Sequence, residues 1–191
     1  MLKIHTLTLG MYQTNTYIIH EEASASCCVI DPGYEANTIL RKIESLGLKL
    51  DAILLTHGHF DHVGAVKDLA ADTDCRVFLC AEDTLLPPMF TAGKLFYTDT
   101  YGAGSILNVA GLYIHVLHTP GSVCLLVDDA IFSGDTLFAG SCGRTDIGGD
   151  WGAIQKSLKR LAAMDTDFTV YPGHGESTTL AYEKRYNPYM R

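Results

Sequence analysis

Four side chains that commonly bind metal ions fall within six residues of the segment Thr56-His57-Gly58-His59-Phe60-Asp61-His62. Imidazole and carboxylate groups suit Zn, Fe, Mn or Ni, whereas a set of thiolates would indicate structural zinc. His57 and His59 are alternate residues of an extended turn and should project to the same side. Asp61 and His62 should begin the next helix, where they could face a second ion. The sequence therefore predicts a transition-metal site with room for two adjacent ions.

Two more polar residues follow short apolar runs that end in a glycine. Asp135 comes directly after Phe132-Ser133-Gly134, and His174 comes directly after Tyr171-Pro172-Gly173. Each lies where a strand should end, so both could reach the edge that carries the histidine cluster. From these residues alone, the alternative of an ordinary turn aspartate or surface histidine stays open.

The elements that must position these side chains are predicted from hydrophobic periodicity and turn residues. We predict strands at residues 2–9, 15–20, 26–30, 52–55, 75–80, 105–109, 112–118, 122–127, 130–133 and 168–171, and helices at 35–46, 62–70 and 151–164. Residues 82–104 are interrupted by Pro and Gly and indicate only a short helix and a loop. The order of meander, helices, meander and helix favours two packed sheets with helices outside.

The composition is that of an ordinary globular protein. With 191 residues and 47% hydrophobic content, the chain is predicted to form a single domain over residues 1–191. Its formal net charge of -8 indicates no basic face, so nucleic acid and anionic membranes are not expected as partners. Six cysteines without a secretory leader favour the cytoplasm. Cys142 has no histidine near it in sequence and is interpreted as a packing or loop cysteine.

Five motifs of the chain resemble those of the metallo-β-lactamase-fold superfamily, and specifically its glyoxalase II-like hydrolases. They are Thr56-His57-Gly58-His59-Phe60-Asp61-His62, His118-Thr119-Pro120-Gly121, Phe132-Ser133-Gly134-Asp135-Thr136-Leu137-Phe138, Gly143-Arg144-Thr145-Asp146 and Tyr171-Pro172-Gly173-His174-Gly175. The resemblance runs from Asn15-Thr16-Tyr17 to Asn187-Pro188-Tyr189 and covers essentially the whole chain. It implies an α+β fold, a four-layered αββα sandwich with the metal site at one edge between the sheets.

The same resemblance implies a set of metal ligands and a pair of divalent ions, preferably Zn²⁺, with Fe or Mn as alternatives. The implied ligands are His57, His59 and His118 for one ion, Asp61, His62 and His174 for the other, and Asp135 as a bridge between them.

The assignment of His118 depends on the alignment. The family usually reads His-Thr-Pro-Gly-His-Thr-x-Gly-Ser, whereas this chain has one copy, His118-Thr119-Pro120-Gly121-Ser122, and is four residues shorter. Alignment backward from Ser122 makes His118 the ligand, whereas alignment forward from the preceding strand leaves the first ion one ligand short. We adopt the first alignment. His115 lies three residues away on the same strand, should face the opposite side, and is interpreted as structural.

The implied activity is hydrolysis by metal-bound hydroxide, because a bound divalent ion lowers the pKa of water from 15.7 to about 7. Asp61 would be catalytic, orienting the hydroxide or handling its proton. The substrate we expect is a small-molecule acyl thioester of the hydroxyacylglutathione type. Arg144 would bind the carboxylate of the thiol carrier, and a rim or interface salt bridge is the alternative role for this residue.

Three other readings remain open at the level of sequence. A mononuclear-iron persulfide dioxygenase would use His57, His59, His118 and Asp135 as its iron site. A lactonase, a β-lactamase or a phosphodiesterase would keep the hydrolytic machinery with another substrate. A metal-binding relative without turnover is the non-enzymatic alternative.

Overall fold

Two six-stranded sheets and one short strand pair form the β-structure of the computed structural model, which describes residues 1–91, 93–119, 121–144 and 150–191. The first sheet has the order β1-β2-β3-β4-β5-β6, with β1 (Leu2–Leu9), β2 (Thr14–Glu21), β3 (Ser26–Ile30), β4 (Lys49–Leu54), β5 (Arg76–Cys80) and β6 (Asp99–Tyr101). The second has the order β14-β13-β10-β9-β8-β7, with β7 (Ile106–Val109), β8 (Leu112–Thr119), β9 (Ser122–Val127), β10 (Ala130–Gly134), β13 (Thr169–Pro172) and β14 (Thr178–Thr179). The short pair is β11 (Leu137–Phe138) with β12 (Ser141–Cys142).

Helices occupy the outer faces of both sheets. They are α1 (Ala36–Ser45), α2 (Phe60–Val63), α3 (Val66–Thr73), α4 (Trp151–Ala162) and α5 (Leu180–Tyr186), and a 3-10 turn spans Ala81–Leu85. In the described ranges, none of these helices is long and apolar enough to cross a membrane.

Three apolar clusters separate four layers. The cluster between the sheets includes Leu54, Ile114 and Phe132. A second cluster packs α1 and α3 against the first sheet, and a third packs α4 and α5 against the second sheet. This arrangement confirms the predicted αββα sandwich.

The uninterrupted apolar runs of the central strands follow from burial on both faces. Ile53 and Leu54 are neighbours in β4, yet Ile53 packs under the helices and Leu54 packs between the sheets. Because successive residues of a strand face opposite sides, a strand buried on both faces needs apolar residues throughout. The same alternation separates Cys27 from Cys28. Five of the six cysteines are buried, and Cys142 is partly exposed.

The helix predicted at residues 62–70 is in fact two helices, α2 and α3. The break lies at Gly64 and Ala65, where the Ala65 N–H donates to the Pro32 carbonyl at 3.0 Å. A Cβ on Gly64 would lie 2.3 Å from the Gly33 carbonyl oxygen. The two helices therefore separate where the chain packs against the turn that follows β3.

Candidate metal centre

The metal-competent side chains lie on loops that leave three strands at one edge of the sandwich. β4 leads into Thr56 and the histidine cluster, β10 leads into Asp135, and β13 leads into His174. β10 and β13 are parallel neighbours, so their carboxyl ends meet. The Val123 N–H donates to the Thr56 carbonyl at 2.8 Å and joins the loop of the first sheet to the second.

Six of the seven predicted ligands converge at this edge. They form two groups, and within each group the candidate donor atoms all lie within 4.8 Å of one another. One group is His57, His59 and Asp135, and the other is Asp61, His62 and His174. The His174 Nε2 atom is 3.2 Å from Asp61 Oδ2. Asp135 lies between the groups, with Oδ2 3.8 Å from His57 Nε2 and Oδ1 3.4 Å from His62 Nε2.

The donor atoms have the character of a cation site. His57 Nε2, His62 Nε2 and Asp135 Oδ1 are all buried, and none has a hydrogen-bond partner within the described part of the chain. Buried polar atoms without partners are costly and rare in folded proteins. Because all three belong to the same cluster and offer lone pairs, a bound divalent cation accounts for them. Imidazole and carboxylate donors without thiolate match Zn, Fe or Mn.

The protein holds the other ring nitrogen, Nδ1, of two histidines, in each case through one oxygen atom. His62 Nδ1 is 3.0 Å from Asp31 Oδ2, and His174 Nδ1 is 3.1 Å from the Tyr12 carbonyl oxygen. A carboxylate and a carbonyl can only accept, so Nδ1 donates in both cases and Nε2 keeps its lone pair for a metal.

Asp31 connects the two groups through Thr56. The Asp31 carboxylate accepts the Thr56 N–H at 2.7 Å and the Thr56 hydroxyl at 2.6 Å. Since that hydroxyl donates to Asp31, it accepts the hydrogen of His57 Nδ1 at 3.0 Å. One buried carboxylate thus orients imidazoles in both groups. The sequence alone identifies Asp31 only as a turn residue. The structure shows that it follows β3, which is the parallel neighbour of β4. Its position at the end of a strand is thus like that of Asp135, which follows β10.

The pKa shifts describe the metal-free centre. Burial lowers the pKa of His57 and of His59, so both imidazoles are neutral and ready to bind a cation. Burial also lowers the pKa of His62, but the carboxylates of Asp135 and Asp31 outweigh it and hold that pKa well above its usual value. A cation and a proton would therefore compete for the His62 Nε2 atom.

Two glycines allow the loops to approach this closely. Gly134 has φ +48°, and a Cβ there would lie 2.4 Å from Thr56 Oγ1. A Cβ on Gly173 would lie 2.4 Å from Asp135 Oδ1 and 2.7 Å from His62 Cε1. Side chains at either position would push apart the loops that carry the ligands.

The structure does not bring His118 to the other six residues. Its Nε2 atom lies 2.9 Å from Glu82 Oε2, and among the described residues no metal-competent group includes it. The pairing of β8 with β9 continues to Thr119 and Ser122. Only two residues therefore connect these strands, too few for a loop that would carry an imidazole to the centre. The role of His118 as a metal ligand stays a prediction. His115, on the same strand, lies on the exposed face of β8.

Arg144 is exposed and follows β12. The preceding residue, Gly143, donates its N–H to the Thr136 carbonyl at 3.2 Å, and a Cβ on it would lie 2.0 Å from the Asp135 carbonyl oxygen. Arg144 is thus one residue from a backbone contact with Asp135. Thr145 and Asp146 of the same motif lie outside the described residues, as does Pro120 of the His118 motif.

Two phenylalanine rings lie beside ligand histidines. The Phe90 ring is 6.3 Å from the His59 ring, and the Phe138 ring is 6.3 Å from the His174 ring. Tyr12, whose carbonyl holds His174, packs edge-on against Phe60 at 5.2 Å. The centre therefore has partly apolar walls.

Comparisons with known proteins agree with this geometry. The chain is 32% identical to hydroxyacylglutathione hydrolase GloC of Haemophilus influenzae, over 99% of this chain and 98% of that protein. It is also 32% identical to the probable metallo-hydrolase YqgX of Bacillus subtilis, with the same coverage of both chains.

Solved structures share the whole fold. The B3 metallo-β-lactamase BLEG-1 superposes with a TM-score of 0.90 at 30% identity, covering 100% of this chain and 99% of that one. TTHA1623 in a di-iron-bound form superposes with a TM-score of 0.84 at 37% identity, covering 97% of this chain and 99% of that one. ETHE1 from Myxococcus xanthus superposes with a TM-score of 0.82 at 29% identity, covering 97% of this chain and 83% of that one.

The family model described as the Metallo-beta-lactamase superfamily matches residues 9–174, which include all six converging ligands. The resemblance seen in the motifs is thereby confirmed. The chain belongs to the metallo-β-lactamase superfamily, as a relative of its metal-dependent hydrolases.

Proposed function

We propose that this protein hydrolyses a small-molecule acyl thioester of the hydroxyacylglutathione type at a centre of two divalent metal ions, preferably Zn²⁺. The observation that carries the proposal is the convergence of six imidazole and carboxylate side chains around buried donor atoms without partners. The whole-length similarity to a hydroxyacylglutathione hydrolase supports the substrate class. The di-iron form of TTHA1623 supports a centre with two ions and keeps iron as an alternative.

The roles of the residues follow from their positions. His57 and His59 would hold one ion, Asp61, His62 and His174 the other, and Asp135 would face both. When bound, the ions lower the pKa of water and polarise a carbonyl oxygen. Asp61 is the catalytic residue in this proposal, because its carboxylate can accept a hydrogen bond from the attacking water and aim the water at the carbonyl carbon.

The surroundings of the centre suit a thioester. Phe60, Phe90 and Phe138 provide apolar surface for the carbon and sulfur atoms next to the carbonyl group. Arg144 is proposed to bind a carboxylate of the thiol carrier, because a guanidinium can pair two of its N–H groups with the two oxygens of a carboxylate. Location in the cytoplasm is part of the proposal, because the six cysteines are all unpaired. The proposal also includes the organisation of residues 1–191 as one domain.

The proposal is tested with metal-reconstituted protein and S-lactoylglutathione. We expect His59→Ala and Asp135→Ala to reduce turnover to the background rate, and His115→Ala, on the exposed face of β8, to keep wild-type turnover. A matched lactoyl thioester of a carrier without carboxylates tests Arg144. Arg144→Ala should raise KM about tenfold for the glutathione thioester only, the loss of about 1.4 kcal/mol. Near-normal activity and metal content in His59→Ala or Asp135→Ala would contradict the dinuclear assignment.

A mononuclear-iron persulfide dioxygenase is the second candidate, and one observation favours it. Because His118 contacts Glu82, the group of His57, His59 and Asp135 consists of two imidazoles and one carboxylate. Many non-haem Fe(II) oxygenases hold iron with two histidines and one carboxylate. Oxygen consumption by iron-loaded protein with glutathione persulfide, without hydrolysis of the thioester, would favour it. Protein inert in both assays after reconstitution would favour a non-catalytic metal-binding relative, once lactones, β-lactams and phosphodiesters had also been tested.

A further inference from the structure

We propose that the two metal positions differ in affinity, and that the position formed by Asp61, His62 and His174 fills first. The position formed by His57 and His59 would then be a weaker site that fills only at higher metal concentration. The inference rests on the two-ion centre of the proposed function but not on the reaction, so a metal titration tests it whether or not the thioester is hydrolysed.

The first argument is the number and charge of the donors. His62 Nε2 lies 3.7 Å from Asp61 Oδ2 and 3.4 Å from Asp135 Oδ1, and His174 Nε2 lies 3.2 and 3.8 Å from the same two oxygens. Four donors, two of them carboxylates, therefore surround one position. Two carboxylates can balance the charge of a divalent ion, and the number of charged ligands is a main determinant of metal affinity.

The second argument is the poorer donor set of the other position. It has two imidazoles, those of His57 and His59, and one carboxylate oxygen, Oδ2 of Asp135. This oxygen lies 3.8 Å from His57 Nε2. Asp135 is shared, so this position has no carboxylate of its own. The nearest candidate for a fourth donor, His118, is paired with Glu82 at 2.9 Å.

The third argument is preorganisation. Asp31 and the Tyr12 carbonyl fix the rings of His62 and His174 through Nδ1, so the donors of the first position are already oriented. In the ranges that the structure covers, the His59 ring makes no hydrogen bond, and it is only partly buried. A ring that must be ordered by the metal itself lowers the affinity of its site.

The experiment is a metal titration of protein stripped with a chelator. Co²⁺ is added while the visible absorption bands and the heat of binding are recorded, and Zn²⁺ is titrated in competition with a chromophoric chelator. We expect two separate steps of one equivalent each, with dissociation constants at least about tenfold apart. A single step that takes up two equivalents with one affinity would overturn the proposal.

Three variants assign the steps to the positions. His59→Ala should keep the tight step and lose the weak one, whereas His174→Ala should weaken the tight step by about tenfold or more. His118→Ala should leave the tight step unchanged. Loss of the tight step in His59→Ala or in His118→Ala would refute the assignment. His115→Ala is the matched control on the same strand as His118, and thermal melting of each metal-free variant verifies folding.

Discussion

Thr56 is the residue through which one carboxylate controls two imidazoles. Its hydroxyl donates to Asp31 and accepts from His57 Nδ1, while Asp31 also accepts from His62 Nδ1. Both Thr56 and Asp31 are buried, so neither bond can be replaced by bulk water. Partners of this kind set the tautomer and the orientation of metal-binding histidines.

Replacement of this hydroxyl should weaken metal binding. Thr56→Val keeps the shape of the side chain but leaves His57 Nδ1 without an acceptor and removes one of the three donors to the Asp31 carboxylate. We expect the metal affinity to fall by about 10- to 100-fold, the usual effect of losing such a partner. Competition with a chromophoric chelator measures it. Thr56→Ser is the matched control that keeps the hydroxyl and should retain affinity within a few-fold. Equal losses in both variants would show that the hydroxyl is not the cause.

At the residue scale, the centre was predictable where ligands are dense in sequence or follow a strand. His57, His59, Asp61 and His62 are recognisable from their spacing alone, whereas Asp135 and His174 needed the family motif. The destination of His118 was not predictable, because it depends on how far β8 and β9 pair and on Glu82, which is 36 positions away in sequence.

At the scale of elements, α5 holds the loop that precedes Arg144. Glu183 of α5 is fully buried, and its carboxylate accepts the Gly140 N–H at 2.9 Å, the Thr178 hydroxyl at 2.7 Å and the Asn187 amide at 2.8 Å. The helix is thereby connected to β14 and to the turn between β11 and β12.

Removal of this carboxylate should destabilise the fold. Glu183→Ala leaves three donors without their acceptor, among them the amide of the buried Asn187, and we expect the free energy of unfolding to fall by about 3 kcal/mol. Urea denaturation of the metal-free protein measures the change. In Glu183→Gln the amide oxygen can still accept from Gly140 and Asn187, and the amide N–H can donate to Thr178, so the loss should be about 1 kcal/mol. A loss in Glu183→Ala no larger than this would contradict the assigned role.

The 3-10 turn before residue 86 contains a buried acid that makes stability depend on pH. Asp83 is 6% exposed and accepts the Gly58 N–H at 2.8 Å. Burial raises its pKa from 3.8 to about 6. Because the folded-state pKa lies above the unfolded-state value, the stability that Asp83 contributes is fully present below about pH 4 and is lost as the pH rises through about 6.

Asp83→Asn keeps an acceptor for Gly58 and cannot ionise. Relative to the wild type, we expect the metal-free variant to gain about 1 kcal/mol in free energy of unfolding between about pH 5 and pH 7.5. Urea denaturation at both pH values gives this difference directly. Asp99→Asn, at a partly exposed aspartate whose pKa is lowered by Arg76, should show no such gain. A constant difference between wild type and Asp83→Asn at both pH values would disprove the elevated pKa.

Long periodic elements were predictable and short ones were not. The strands of both meanders and the helices α1 and α4 follow the predicted ranges closely, because their hydrophobic periods extend over several residues. β6 has three residues, and α5 has seven with only two of them buried, so neither displays a full period. Their formation depends on tertiary partners, β5 for the first and the Glu183 hydrogen bonds for the second.

At the scale of the whole molecule, the ligands come from both sheets. His57, His59, Asp61 and His62 follow strand β4 of the first sheet, and Asp135 and His174 follow strands β10 and β13 of the second. A bound ion would therefore link the two halves of the sandwich, and we expect it to bind the folded chain far better than the unfolded chain, in which these residues are far apart.

Metal removal should lower the melting temperature. With free metal at 100 times its dissociation constant, binding stabilises the folded state by about 2.7 kcal/mol. For a chain of this size that corresponds to about 5 to 10 °C in Tm. Calorimetry with and without excess chelator measures the shift. Asp135→Asn, which loses the shared carboxylate charge, should show a much smaller shift. An unchanged wild-type Tm after chelation would contradict metal binding at this centre.

The burial of five cysteines has a practical consequence for spectroscopy. Burial raises the pKa of thiols such as Cys124, to about 11, so these sulfurs are neither accessible nor ionised at neutral pH. Cys142 is the partly exposed thiol, and it adjoins Gly143, which packs against the Asp135 carbonyl. A maleimide fluorophore or nitroxide should therefore label the native protein at one position, beside the metal centre, without any cysteine being engineered in or out.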